Sequence, residues 1–276
     1  MHSPHIVFIG AGNMAQAIIG GLIQQSIAPE HIEACAPSES TRDKVAQAFG
    51  IKTTAHNNEA VKRADIIVLA VKPQMFDTVC REIAPHCKPN TLFVSIAAGI
   101  TCQSIAQYLQ TDTRQAADIA IVRTMPNTPS QIGLGATGLY ANQACSGTNK
   151  QAASNIMAAV GVTTWVDDES LINTVTAVSG SAPAYFFLIF EAMIDAAIKQ
   201  GLSAEDARTL TLQTALGAAS LAQQSTLDIA TLRGNVTSPN GTTERAVNAL
   251  ENADIRVIFD DAMQACSQRA QELSLT

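Results

Sequence analysis

The segment HIVFIGAGNMAQAII, residues 5–19, restricts the fold more than any other part of this chain. It sets Gly10, Gly12 and Ala15 in a G-x-G-x-x-A turn between a short apolar run and a stretch with helical spacing. Each small residue has its own steric task. The first admits a tight turn, the second lets backbone approach a pyrophosphate, and the third lets helix and strand pack closely. A strand feeding a helix through such a turn is the opening of a βαβ unit that binds a dinucleotide.

The same rhythm continues to about Val166. HIEACA and TRDKVAQAFG read as strand and helix, and ADIIVLAV and NTLFVSIAAG as buried strands with a helical segment between them. DIAIVRTMP and GLGATGLYA follow as strands separated by a turn at Ser130–Gly133, then a helix over 148–160 and the strand VTTWVD. This predicts an α/β fold, a Rossmann-type doubly wound, mostly parallel sheet, in a domain spanning 1–167. From residue 168 to 276 long Ala/Leu-rich segments take over, and that domain is predicted to be all α, with a kink around Ser179–Pro183. Phe186, Phe187, Leu188, Ile189 and Phe190 put apolar groups on more than one helix face, more than some 110 residues can bury alone. A homodimer through this half is expected.

Composition excludes several classes. The chain has 276 residues, 47% of them hydrophobic, and its 17 basic residues are scattered against 24 acidic ones, giving a net charge of −7. That is no footprint for nucleic acid or an anionic membrane. Six cysteines show no C-x-x-C pair and read as free thiols of a reducing cytoplasm, and no segment approaches 18 uninterrupted apolar residues. The histidines, at 2, 5, 31, 56 and 86, lack metal-ligand spacing, so no metal is expected.

The end of the second strand selects the dinucleotide. NAD-binding folds place a carboxylate there, on the ribose 2′-hydroxyl. Here the strand end is Ala36-Pro37-Ser38, and Ser38, Ser40, Thr41 and Arg42 offer hydroxyls and a guanidinium to a 2′-phosphate. NADPH is therefore expected over NADH, although the same residues also suit the cap of the next helix. Two further strand ends reach the crevice: AVKPQ, with Lys72 serving either the cofactor or the surface, and SIAAG, whose small residues let backbone approach a ring.

A second anion site is written in VTSPNGTTERAV, residues 236–247. Pro239, Asn240 and Gly241 make a turn, and a helix begins beside Thr242 and Thr243 with Glu244 in its first turn. Free N–H groups there attract an anion by roughly 0.3–1 kcal/mol when exposed, which suits a small carboxylate. An ordinary capped surface helix has the same letters.

With these pieces in order, the chain resembles the pyrroline-5-carboxylate reductase family, which performs the last step of proline biosynthesis. The resemblance rests on FIGAGNMA, AVKPQ, SIAAGI, RTMPNTP, AVSGSAPAYFF and VTSPNGTT. It implies hydride transfer from NAD(P)H to C5 of 1-pyrroline-5-carboxylate, giving L-proline, and an interlocked dimer that often assembles into a decamer. The nitrogen-contacting threonine falls on Thr243, and the other substrate contacts on Glu169, Asn235 and Thr242, with backbone N–H groups of the Gly241 turn on the carboxylate. The cofactor positions fall on Phe8, Ile9, Gly10, Ala11, Gly12, Asn13, Ser38, Asn57, Ala70, Val71, Lys72, Pro73, Ala97, Ala98 and Gly99. One departure is Asn240, where the family usually has glycine; asparagine tolerates left-handed backbone angles best among the other residues.

Three rivals are weighed against this. β-Hydroxyacid dehydrogenases share the architecture but place a catalytic lysine early in the helical half, where this chain has none before Lys199. A non-catalytic NADP-binding redox sensor would not require the hydroxyl-rich turn, and a reductase of another cyclic imine remains an alternative.

Overall fold

The computed structural model describes residues 4–274, so His2 lies outside the described residues. Eight strands form one sheet in the order β3-β2-β1-β4-β5-β6-β7-β8. They are β1 Ile6–Ile9, β2 Ile32–Cys35, β3 Lys52–Thr54, β4 Ile66–Leu69, β5 Leu92–Ser95, β6 Ile121–Met125, β7 Gly135–Ala141 and β8 Gly161–Trp165. The first six are parallel, β7 runs antiparallel to β6, and β8 is parallel to β7. The helices α1 Asn13–Gln24, α2 Glu39–Phe49, α3 Asn57–Val61, α4 Phe76–Ile83, α5 Cys102–Leu109 and α6 Gly147–Ala158 complete this layer structure.

The strands are apolar on both faces, as a parallel sheet covered by helices on both sides requires. Phe8, Val68, Val94 and Val122 pack with α1 and α6 residues such as Ile18, Ile19 and Ile156. Val7, Ile9, Ile67 and Phe93 pack on the other face with Phe76, Ile83, Ile105 and Leu109. Glycine permits close approach here. A Cβ on Gly21 would lie 2.3 Å from the Ala159 carbonyl oxygen, so α1 packs directly on the chain after α6.

By packing, the chain forms two compact units. One holds the residues up to Ser181 together with those from Ala265 onward, and the other spans Ala182–Gln264. The first unit thus extends beyond the sheet. It takes in α7 Leu171–Val175 and a π-helical turn, Thr176–Gly180, because Ile172 and Ala177 are buried and Gly138 leaves room for Val175. The kink expected at Ser179–Pro183 is this π turn, placed a few residues earlier; Pro183 itself falls in the first turn of the next helix, where a missing N–H is not needed.

The second unit is helical throughout: α8 Ala182–Lys199, α9 Ala204–Gln224, α10 Ile229–Asn235, α11 Thr242–Asn252, and the first half of α12 Ile255–Ser274. The stretch Leu171–Lys199 is long and apolar enough, by length and composition, to cross a membrane. Large apolar side chains stand open along these helices, among them Phe186, Phe187, Leu188, Leu210 and Leu221.

Candidate active site

Strand register builds the first site. Ile9 pairs with both Cys35 and Leu69, and Leu69 pairs with Ser95, so β1, β2, β4 and β5 end level with one another, while β6 runs two residues past the Ser95–Arg123 pair. The segments that follow therefore share one rim of the sheet. Gly10–Asn13, Ser38, Asn57, Ala70–Pro73 and Ala97–Gly99 are all on it. This is the edge at which doubly wound sheets bind their ligands, and β1, between β2 and β4, is where the strand order reverses.

The glycines of the turn differ in what they do. Gly10 has φ of 102°, donates its N–H to the Cys35 carbonyl at 3.0 Å, and a Cβ there would sit 2.6 Å from the Ala70 carbonyl oxygen. It is a packing residue where the chain leaving β1 passes against the chain leaving β4. Gly12 is the N-cap of α1 in extended geometry, and a Cβ on it would meet nothing within 4 Å. No side chain caps α1 and no acidic residue lies in its first turn, among the described residues. Its N-terminus has the uncapped form of an anion seat, and the space over Gly12 is open. Phe8 and Ile9 have side chains wholly in the core, so only their backbone can reach a cofactor.

At the end of β2, Arg42 Nη1 donates to the carbonyl oxygens of Ala36 at 2.9 Å and Pro37 at 2.7 Å. The guanidinium is thereby fixed at the strand end that leads into Ser38, whose hydroxyl lies 2.9 Å from that of Ser40. The acid of that strand, Glu33, points elsewhere. It is fully buried, hydrogen-bonded to Arg63, and 3.2 Å from Lys52 Nζ. Burial pushes its carboxyl up, but Arg63 and Lys52 together outweigh that and hold it below the usual value. Lys72 is exposed at the start of a short 3₁₀ turn that leads into α4.

Glu169, given to the substrate by resemblance, lies in the sheet unit. Its Oε1 accepts the Cys102 backbone N–H at 2.7 Å and Arg123 Nη1 at 3.1 Å. Sequence reasoning did not single out Arg123, which is 2% exposed, or Asn127, whose side chain joins the Ser179 carbonyl to the Ala136 N–H. A charged residue inside the apolar run DIAIVRTM was the available signal for the first.

The second site lies in the helical unit. Asn240 takes φ of 60°, the left-handed region, and Gly241 is the N-cap of α11 in extended geometry. Glu244 turns back to accept the Asn240 N–H at 2.8 Å, which closes the turn without covering the helix end. No side chain caps α11 among the described residues, so N–H groups beside Thr242 and Thr243 stay open, with both threonines exposed. Asn235 closes α10, one turn upstream, and is exposed as well.

Comparison with known proteins agrees with both halves. Residues 5–99 match a family model described as NADP oxidoreductase, coenzyme F420-dependent, and residues 169–273 match one described as pyrroline-5-carboxylate reductase dimerisation. The pyrroline-5-carboxylate reductase of Pseudomonas aeruginosa is 48% identical over 99% of this chain and 98% of its own length. The structure of a pyrroline-5-carboxylate reductase from Coxiella burnetii superposes with a TM-score of 0.94 at 42% identity, covering 100% of both chains. That of Plasmodium falciparum pyrroline carboxylate reductase, with NADP bound, gives 0.84 at 28% identity over 99% of each. With end-to-end identity of this order, the chain belongs to the pyrroline-5-carboxylate reductase family.

Proposed function

We propose that this chain reduces 1-pyrroline-5-carboxylate to L-proline with NADPH, as a homo-oligomer formed through its helical segment. The observation that carries the reading is the match along the whole chain to relatives of that name. NADPH, when bound, supplies a hydride to C5 of the ring. Gly12 and the open end of α1 hold the pyrophosphate, Ser38, Ser40 and Arg42 take the 2′-phosphate, and Asn57, Ala70–Pro73 and Ala97–Gly99 line the rest of the rim. Backbone N–H groups of the Gly241–Thr243 turn hold the substrate carboxylate, while Asn235 and Thr242 orient the ring.

Hydride addition to a protonated imine leaves a neutral secondary amine, so little general-acid strength is required. A threonine hydroxyl is too weak an acid to drive protonation, and Thr243 orients the nitrogen and relays its proton from water. Most of the rate then comes from positioning. The apolar faces of α8 and α9 meet a second copy rather than a lipid surface, and five such dimers form a decamer in the cytoplasm.

The test is NADPH oxidation by purified protein, followed by absorbance with and without 1-pyrroline-5-carboxylate. Turnover with proline as product is expected, faster with NADPH than with NADH. Binding of NADPH without turnover of the substrate would sink the reading in favour of a sensor; turnover confined to a larger cyclic imine would move the substrate. A higher kcat/KM with NADH would remove the Ser38/Arg42 argument.

A further inference from the structure

Glu169 follows β8, yet its carboxylate turns back to the sheet, 67 residues upstream, to the first N–H of α5. Ordinary capping does not account for this. Thr101 already caps α5 through the Ser104 N–H at 3.0 Å. The partner that holds Glu169, Arg123, is buried, and its Nε has no partner among the described residues. Burying a guanidinium with one donor unmet costs stability that an apolar pair would not, and such arrangements persist where geometry is required.

What the pair fixes is the end of a loop. Residues 96–101 join β5 to α5 and are held along their length by separate contacts. The Ile96 N–H bonds the Leu69 carbonyl at 3.2 Å, the Ala97 N–H the Ser95 hydroxyl at 3.4 Å, and Thr124 Oγ1 donates to the Ser95 carbonyl at 2.9 Å. Gly99, at φ of 75°, lies under Leu273; a Cβ there would come within 3.0 Å of the Leu273 Cβ. The last of these contacts is the one from Glu169 to Cys102, three residues past Gly99.

We propose that Glu169, held by Arg123, is a positioning residue for the loop Ala97–Gly99 and sets the affinity for NADPH, without touching the substrate. This rests on the reading of that loop as part of the cofactor rim. Losing one charge-assisted hydrogen bond shifts an equilibrium by about tenfold or more, and the loop passes on about the lower figure.

The experiment is an NADPH titration by fluorescence on full-length wild type, Glu169→Ala and Glu169→Gln, with steady-state KM values for both substrates. Glu169→Ala is expected to weaken NADPH binding about tenfold and raise its KM in proportion, with KM for 1-pyrroline-5-carboxylate and kcat at saturating NADPH within about twofold. Glu169→Gln keeps both acceptor contacts without the charge and recovers binding to within about threefold of wild type. Should the alanine variant not fold, the glutamine variant carries the test with the same split between the two KM values. A rise in KM for the imine at unchanged NADPH affinity makes Glu169 a substrate contact and overturns the proposal. Equal values throughout reduce the pair to a structural one, with the same result. If the wild type itself binds no NADPH, the reading of the rim falls first and the proposal with it.

Discussion

Gly12→Ala separates cofactor binding from folding. In the free protein the added methyl meets nothing within 4 Å, and the native backbone, φ −72° and ψ 179°, is open to alanine. Alanine restricts the unfolded chain, a gain of about 0.4–1 kcal/mol, but is a poorer N-cap than glycine by about 0.5–1 kcal/mol. The two offset, and the urea midpoint should move by less than about 0.5 kcal/mol of stability. A pyrophosphate seated on the end of α1 would, however, meet the methyl directly. Overpacking of one methyl costs about 1–3 kcal/mol, or roughly 5–150-fold in Kd. Gly10→Ala is the contrast. Its methyl would lie 2.6 Å from the Ala70 oxygen at a left-handed φ of 102°, so backbone strain of about 1–2 kcal/mol adds to about 1–3 from overpacking. That variant should lose stability and binding together. The assay is urea denaturation without ligand beside an NADPH fluorescence titration. NADPH affinity within twofold of wild type in Gly12→Ala would refute the argument, because the pyrophosphate would then lie elsewhere.

Three further outcomes are expected. Thr243→Ala should lower kcat/KM by roughly 10–100-fold with NADPH affinity unchanged, and unaltered kinetics would remove Thr243 from the mechanism. Because the folded pKa of Glu33 lies below its ordinary 4.5, its contribution is complete above that pH and fades as pH falls through the folded value. Glu33→Gln should therefore cost about 1–3 kcal/mol in urea unfolding at pH 7, and a gap that stays constant down to pH 4 would contradict this. Phe187→Glu, at a position 60% exposed in the single chain, should shift the protein to a smaller species in sedimentation; an unchanged mass would place the interface away from α8.

Sequence made the sheet legible wherever burial on both faces left an uninterrupted apolar run, as in IVFI, IIVL and LFVS. It was silent on β3, whose three residues Lys52–Thr54 sit half open at the sheet edge and carry no apolar pattern. Nor did it reveal that β7 reverses direction, since pairing direction leaves no mark on a strand's own residues. The kink expected around Ser179–Pro183 is a π turn at Thr176–Gly180, an insertion made by backbone bonding, which no residue type marks. In the site, glycines were legible because their role is steric and local. Arg123 and Asn127 were not: their partners, Glu169 and Ser179, lie 46 and 52 residues away, and only the fold sets them side by side.

The first unit is not continuous in sequence: it ends at Ser181 and resumes at Ala265, after the whole helical unit. During synthesis the loop after β5 must therefore wait for its cover. The residue that covers Gly99, Leu273, leaves the ribosome only after every residue of α8 through α11. A fragment cut after Ser181 would carry all eight strands but leave the loop at Gly99 uncovered. Folding in order of translation, the usual course for chains of separate domains, can finish the helical unit before the sheet unit is closed.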